Sequence, residues 1–295
     1  MGKGSRAGWT AQKMAIRWTR KAGIIRLTAR SLEEFSTHVK DLTDTWNEEP
    51  WFRGHSNASD DLKPSLYRKE REKEAEDELR WEFRRRHGLF PMIHAPTSRW
   101  ERYFMMQHYG MPTRLLDWTQ GALLALYFAL RTNNRRHDAA VWVLDPFWLL
   151  GYVVKASRFL PKDHPDYRFI QKYMPAPTDR RTKWIKSYLP RAFPRTSAKL
   201  PPWPAPIQPP HIDRRIGAQL SAFTIHGTRK KGLEDIALTA QNARLAVIRI
   251  PKVNVKNMRY HLAVAGVVET TVFPDLEGLG RELTFDYAEP IKVRP

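Results

Sequence analysis

Apolar and polar positions follow two periods along the chain, and together they predict a fold that mixes helices with strands. Ser31 to Glu34 form a capping box, after which apolar residues recur at helical spacing. Short apolar runs near residues 51, 141, 220, 247 and 269 are typical of strands. Strands interspersed with helices predict an α+β fold, in which a single mixed domain has a small, mainly antiparallel sheet packed by helices.

The stretch from His108 to Thr119 places many polar residues between two apolar helical segments. Gly110 and Pro112 end the first segment, and the second, residues 120–130, is apolar nearly all round and is therefore expected to be buried. We expect the stretch itself to be a connector. Polar groups beside a buried helix have to pair with one another or with a ligand. These residues are about equally consistent with two arrangements. In one, the polar side chains pair with each other, for example Arg114 with Asp117; in the other, they bind a ligand.

Two further segments have an unusual composition, and we assign no catalytic role to either of them. From Lys69 to His87 the sequence predicts a highly charged, solvated helix. Between residues 147 and 214 lie 12 of the 22 prolines, a density that disfavours long regular elements. We interpret the region of about 147–214 as a Pro-rich, basic insertion within one domain. We expect it to be a lid, a partner-binding loop or a surface loop without a function of its own.

The net charge of +19 predicts attraction to polyanions. Residues 1–30 hold eight Lys or Arg side chains and no Asp or Glu, and they include Trp9 and Trp18. Basic residues interleaved with indoles suit contact with phosphates and stacked bases. We therefore expect a basic N-terminal arm over residues 1–30 and, through it and the insertion, a nucleic-acid partner. A solubilising arm is the alternative.

The remaining composition excludes several classes of protein. There is no Cys, so neither a disulfide framework nor a thiolate zinc site can form. The longest apolar run is about half of the roughly 20 residues that a membrane span needs, and we expect a cytoplasmic protein without a membrane partner. Neither a P-loop, a dinucleotide fingerprint nor a serine elbow occurs in the sequence.

Several short blocks resemble the FRG domain family, which is named for a Phe-Arg-Gly triplet. The triplet stands at Phe52-Arg53-Gly54, and a block from Leu62 to Arg68 follows it. The central block is His108 to Thr119 with Ala125 to Ala129 after it, and two late blocks are Gln219 to His226 and Phe273 to Leu279. The resemblance implies an FRG domain over residues 31–290.

More distantly, the Phe-Arg-Gly strand is similar to the Arg-Gly strand of ADP-ribosyltransferases, in which the arginine grips NAD. The similarity implies NAD as a co-substrate, a nucleic acid or protein as acceptor, and a toxin or phage-defence context. Arg53 and Glu269 are then the expected catalytic residues, with Asp275 and Glu277 competing for the role of Glu269. The other expected ligand-binding residues are His55, His108, Tyr109, Thr113, Arg114, Asp117, Gln219, Phe223, His226 and Asp275.

Two other functions stay open on the sequence. One is a non-catalytic module that binds nucleic acid or a nucleotide, with the central stretch as scaffold or sensor. The other is a metal-dependent hydrolase or nuclease that uses His108, Asp117, His226 and Asp275. Those four residues lack the spacing of metal ligands, so no metal is predicted.

Overall fold

A computed structural model describes residues 23–68, 73–90, 95–133, 135–157, 174–177, 179–189, 200–209 and 217–284, together with residue 287. The predicted α+β fold is confirmed: one seven-stranded mixed sheet is packed by helices. Its strands are β1 (Ile25–Thr28), β2 (Trp51–His55), β3 (Leu115–Thr119), β4 (Ala139–Leu144), β5 (Ala205–Ile207), β6 (Ser221–Ile225) and β7 (Leu245–Ile250).

The strands lie in the order β1-β7-β4-β2-β3-β6-β5. All neighbours pair antiparallel except β1 and β7, which are parallel. The central strand β4 is buried at every position, which explains its unbroken apolar sequence. Strand β2 pairs with β4 along its whole length but with β3 only through Phe52 and Thr119. The sheet therefore opens between β2 and β3, beside Arg53.

Helices cover both faces of this sheet. They are α1 (Leu32–Trp46), α2 (Ser65–Arg68), α3 (Lys73–Arg86), α4 (Arg99–His108), α5 (Ala122–Arg131), α6 (Pro146–Ser157), α7 (Leu233–Thr239), α8 (Val255–Val264), α9 (Glu269–Val272) and α10 (Leu276–Leu283). Two 3-10 segments span His87–Leu89 and Arg180–Tyr188. One buried cluster joins α1, α5 and α8 to the sheet, and the other joins α4, α6, α7 and the segment Arg180–Tyr188. Alternate residues of β4 and β7 feed the two clusters, as the two-residue period of a strand requires.

Local signals explain where several helices begin. Ser31 caps α1 by accepting a hydrogen bond from the Glu34 backbone N–H, and the Glu34 side chain accepts one from the Arg30 backbone N–H. The helical segment before the central stretch ends as predicted, with Gly110 at a φ of +72°. Asp145 accepts hydrogen bonds from the backbone N–H groups of residues 147 and 148, so α6 starts at Pro146, where a missing N–H costs nothing.

Several predictions from the sequence are wrong in detail. The connector after Gly110 contains β3, because Leu115, Leu116 and Trp118 are buried in the sheet. The insertion is not devoid of long elements, because its first part forms the 12-residue helix α6. The β-branched run around Glu269 is not a strand: it has no sheet neighbour, and Thr271 closes the first turn of α9 by bonding to Val268. Strands β1 and β5 had no clear signal.

The predicted basic arm and insertion lie partly outside the described residues. Residues 25–28 of the predicted arm belong to β1, and residues 1–22, with Trp9 and Trp18, lie outside the described part of the chain. Of the Lys and Arg residues between positions 180 and 199 of the insertion, Lys186 is the one whose side chain the structure describes. In the described part of the chain, no helix combines the length and apolar character needed to cross a membrane.

Candidate functional site

A cleft of about 420 Å³ opens where β2 and β3 diverge. Residues from both strands, from α5 and from the turn before β6 line it. Its charged and aromatic lining comprises Phe52, Arg53, His55, Asp60, Arg68, Asp117, Trp118, Phe128 and Arg131. Four residues predicted as site residues, Arg53, His55, Asp117 and Gln219, meet in this cleft.

Arg53 occupies the mouth of this cleft with only part of its hydrogen-bonding capacity used. Its Nε donates to His55 Nε2 at 3.0 Å, and its Nη1 donates to the Asp117 carbonyl oxygen at 2.7 Å. The distance from Nη1 to Asp117 Oδ2 is 3.6 Å, longer than a hydrogen bond. Within the described residues Nη2 has no partner. Burial lowers the pKa of Arg53 and the Asp117 carboxylate opposes that shift, so the guanidinium stays charged.

His55 faces the cleft as a neutral ring. Burial lowers its pKa to about 3, and the positive charges of Arg53 and Arg68 act in the same direction. Because Nε2 accepts a hydrogen bond from Arg53, the proton of the neutral ring is on Nδ1. Nδ1 is buried and has no hydrogen-bond partner of normal geometry among the described residues. The ring therefore orients Arg53 without adding a second positive charge.

Gly54 sets the position of Arg53 by allowing close packing rather than an unusual turn. A Cβ at this position would lie 2.1 Å from the Ala125 carbonyl oxygen and 2.5 Å from the Ala129 backbone nitrogen. Strand β2 can approach helix α5 this closely only with glycine at this point. The same contact brings Phe128 and Arg131 of α5 to the cleft.

Asp117 supplies an exposed carboxylate opposite Arg53. Its side chain is 52% exposed, and its Oδ2 accepts a hydrogen bond from Gln107 Nε2 at 2.7 Å. Gln107 in turn accepts a hydrogen bond from the Thr113 hydroxyl. The predicted ligand residue Thr113 is fully buried and so acts through Gln107, holding the orientation of Asp117.

Arg114 lies in a separate, fully buried network. Its side chain is 1% exposed and its Nε lies 2.9 Å from Glu76 Oε2. It also donates to the backbone oxygens of Tyr188 and His226, while the Tyr103 hydroxyl accepts from its backbone N–H. Burial alone would lower the pKa of Arg114, but the Glu76 carboxylate raises it. The suggested pairing of Arg114 with Asp117 is wrong, because Glu76 takes that place.

The remaining predicted site residues are dispersed. His226 is fully buried next to Arg114, and burial lowers its pKa to about 3. Phe223 stacks on Phe104 at a centroid distance of 5.2 Å, and Tyr109 is 66% exposed, in edge contact with His108. Asp275 caps α10 by accepting from the Gly278 backbone N–H.

Glu269 does not line the cleft. Its carboxylate accepts hydrogen bonds from Arg131, Arg281 and the Tyr127 hydroxyl. Of these partners only Arg131 lines the cleft, so Glu269 contacts a lining residue without lining the cleft itself. Its rival Glu277 is paired with Arg281 on α10. The sequence left the carboxylate open between residues 269, 275 and 277, and none of the three lies in the cleft lining.

The comparisons with known proteins bear on the region that builds this cleft. Residues 48–138 match the family model of the FRG domain. This part of the chain, about a third of its length, is similar to the FRG domain. No curated protein and no solved structure matches the chain.

The FRG match runs from the residues before β2 to the start of β4, and it contains every residue lining the cleft except Gln219 and Ser221. It also contains Arg114 and Glu76, the buried ion pair. The two late blocks, around Gln219 and Phe273, fall outside the matched residues. The cleft thus lies almost wholly within the matched residues and is completed by Gln219 and Ser221.

Sequence reasoning missed Arg68, Phe128, Arg131 and Glu76. Phe128 and Arg131 are three residues apart and therefore share one face of α5, a spacing that was visible in the sequence. Glu76 stands among many charged residues of α3, and nothing in the pattern distinguishes it from its solvated neighbours. Among the described residues, no three His, Asp or Glu side chains cluster as metal ligands do.

Proposed function

We propose that the FRG domain binds NAD in the cleft around Arg53 and transfers its ADP-ribosyl group to a nucleic acid or protein. The observation that carries the proposal is the partly unused guanidinium of Arg53 in a cleft of about 420 Å³ that two further arginines line. Guanidinium groups form paired hydrogen bonds with phosphate oxygens, and Arg68, exposed at the same cleft, offers a second cation.

The cleft also has groups that suit the rest of a dinucleotide. Phe128 is half-buried at its wall and presents an aromatic surface for a planar ring. Thr119, Gln219 and Ser221 add neutral hydrogen-bonding groups of the kind that ribose hydroxyls need. NAD supplies an ADP-ribosyl group when its bond to nicotinamide breaks.

We assign the catalytic carboxylate to Asp117 in place of Glu269. Positive charge develops on the ribose as the bond to nicotinamide breaks, and a fixed carboxylate stabilises it. Asp117 lies in the cleft lining opposite Arg53, with one oxygen held by Gln107, whereas Glu269 is engaged by two arginines and a tyrosine. Arg53 would bind the phosphates, and His55 would orient Arg53 by accepting its Nε hydrogen bond.

The test is to incubate purified full chain with labelled NAD and with cellular RNA, DNA and protein. We expect release of nicotinamide and labelling of one acceptor class. Arg53→Ala should remove the activity, and Asp117→Asn should lower turnover by roughly a hundredfold or more while NAD binding changes less than threefold. Arg249→Ala is the matched control, since Arg249 is an exposed arginine of the same sheet outside the cleft.

The same assay decides between the two carboxylates. Loss of turnover in Glu269→Gln with normal turnover in Asp117→Asn would return the catalytic role to Glu269. A toxin or phage-defence role belongs to the same proposal: expression of the wild-type chain should arrest cell growth, and expression of Arg53→Ala should not.

A second candidate is a non-catalytic nucleotide-binding module. The engagement of Glu269 by Arg131, Arg281 and Tyr127 favours it over a transferase that uses Glu269, because that carboxylate is not available to a substrate. NAD binding that depends on Arg53, without release of nicotinamide under any acceptor condition, would establish this candidate and exclude the transferase.

A further inference from the structure

A second cleft, of about 700 Å³, lies between α3, the start of α4 and the segment around Lys186. It shares no lining residue with the Arg53 cleft. Its cationic lining consists of Arg80, Arg84, Arg99, Arg102 and Lys186, and its single acidic residue is Glu101. Polar uncharged lining comes from Thr97 and Ser98.

The acidic residue offsets only part of the positive charge of this cleft, raising the pKa of Arg102 against the effects of burial and of Arg84. Glu101 accepts hydrogen bonds from the backbone N–H and the hydroxyl of Thr97, as a capping residue of α4. Arg80 is paired with Asp77 at 3.4 Å. In the described part of the chain, Arg84, Arg102 and Lys186 have no carboxylate partner. Arg84 and Arg102 also repel each other: burial lowers the pKa of Arg102, and the charge of Arg84 lowers it further.

One further donor lies in the wall of the same cleft. Trp100 is 4% exposed and lines it, yet its indole Nε1 has no hydrogen-bond partner in the described residues. An indole N–H is a donor only, so an acceptor oxygen is what it lacks. The ten-residue helix α4 begins at this wall, where Ser98 caps it by accepting a hydrogen bond from the Glu101 backbone N–H.

We propose that this cleft binds the phosphodiester backbone of a nucleic-acid strand. One phosphate is satisfied by two or three donors, whereas this cleft gathers five cationic side chains from three elements and a buried indole N–H. The number of cations therefore fits several phosphates in a row, and the net charge of +19 fits a polyanionic partner. The inference does not depend on NAD binding at Arg53.

The test is binding of a fluorescein-labelled 20-nucleotide single strand, as RNA and as DNA, to the full chain over a range of salt concentrations. The double variant Arg84→Glu/Arg102→Glu should weaken binding by about tenfold or more, and should reduce the slope of log affinity against log salt by about 1–2. The matched control is Arg85→Glu/Arg86→Glu, which changes the net charge equally at residues that pair with Glu82 outside the cleft.

The control variant should lose less than about threefold in affinity. Equal weakening by both double variants would overturn the proposal, because binding would then follow overall charge. Displacement of the strand by ATP and by inorganic tripolyphosphate at similar low concentrations would also overturn it and assign the cleft to free polyphosphates.

A second pair of variants tests the uncharged donor. Trp100→Phe removes the indole N–H and should weaken binding by roughly threefold to tenfold with an unchanged salt slope. Trp142→Phe removes another buried indole N–H without a partner, away from this cleft, and should leave binding unchanged. Thermal melts identify any variant that has lost the fold. Equal affinities for Trp100→Phe and the wild type would contradict the assignment of that donor.

Discussion

Arg53 and Arg114 both lie within the residues that match the FRG domain, and the fold uses them in opposite ways. Arg114 is 1% exposed, with Glu76 and two backbone oxygens accepting its side-chain N–H groups. Arg53 is 17% exposed, lines a cleft and is 3.6 Å from its nearest carboxylate oxygen. A satisfied buried charge holds elements together, whereas a partly unsatisfied one beside a cleft can still bind an anion. The comparison identifies Arg114 as structural and Arg53 as the candidate for function.

The largest expected effect comes from breaking the buried pair. Glu76→Ala leaves the charge of Arg114 buried without a carboxylate and should lower the free energy of unfolding by about 3–5 kcal/mol. Glu82→Ala on the same helix removes an exposed partner of Arg85 and Arg86 and should cost at most about 1 kcal/mol. Urea denaturation of both variants measures the difference, and similar losses would refute the structural role of Glu76.

The next largest effect is the loss of stability expected when Gly54, the neighbour of Arg53, is replaced. In Gly54→Ala the added Cβ meets the backbone of α5, so the free energy of unfolding should fall by about 1–3 kcal/mol or more. Gly151→Ala is the control, because nothing lies within 4 Å of a Cβ there and the helix interior favours Ala by roughly 0.5–1 kcal/mol. A Gly54→Ala chain as stable as the wild type would mean that the close approach of β2 and α5 is not required.

Both arginines have a neutral histidine beside them, which predicts a dependence of stability on pH. His55 and His226 each have a folded-state pKa of about 3, against an ordinary value of 6.5. Between these values the unfolded chain binds more protons, so stability falls as the pH decreases below 6.5. Each histidine should contribute up to about 1.4 kcal/mol per pH unit, a slope that is reached well below pH 6.5. Denaturation at pH 5 to 7 should show a slope that His226→Gln halves and the exposed His137→Gln leaves unchanged.

The smallest effect concerns the exposed cation of the Arg53 cleft. Arg68→Ala should change the free energy of unfolding by no more than about 0.5 kcal/mol, because the side chain is exposed. It should weaken NAD binding by roughly threefold to tenfold, since one cation of the site is lost. Calorimetry of NAD binding measures this, and an unchanged affinity would remove Arg68 from the site.

The α+β class and the strand that carries Arg53 could be predicted from the sequence because those features depend on local signals. The periodicity around Ser31, the apolar β4 run and the Arg53-Gly54 strand can all be read without tertiary contacts. Glu269 was placed on a strand because its neighbours are β-branched, a propensity that tertiary context overrides. The partner of Arg114 could not be predicted, since Glu76 is 38 residues away and meets it only in the folded chain.

The claim that Arg53 is functional and Arg114 structural is tested most directly on Arg53→Ala. The measurement is of its NAD affinity and its free energy of unfolding together. We expect NAD affinity to fall by roughly tenfold to a hundredfold, the value of one or two charge-assisted hydrogen bonds. The free energy of unfolding should fall by no more than about 1.5 kcal/mol. An Arg53→Ala chain that binds NAD as tightly as the wild type, or that loses 3 kcal/mol or more of stability, the approximate cost of breaking a buried ion pair, would contradict the functional assignment of Arg53.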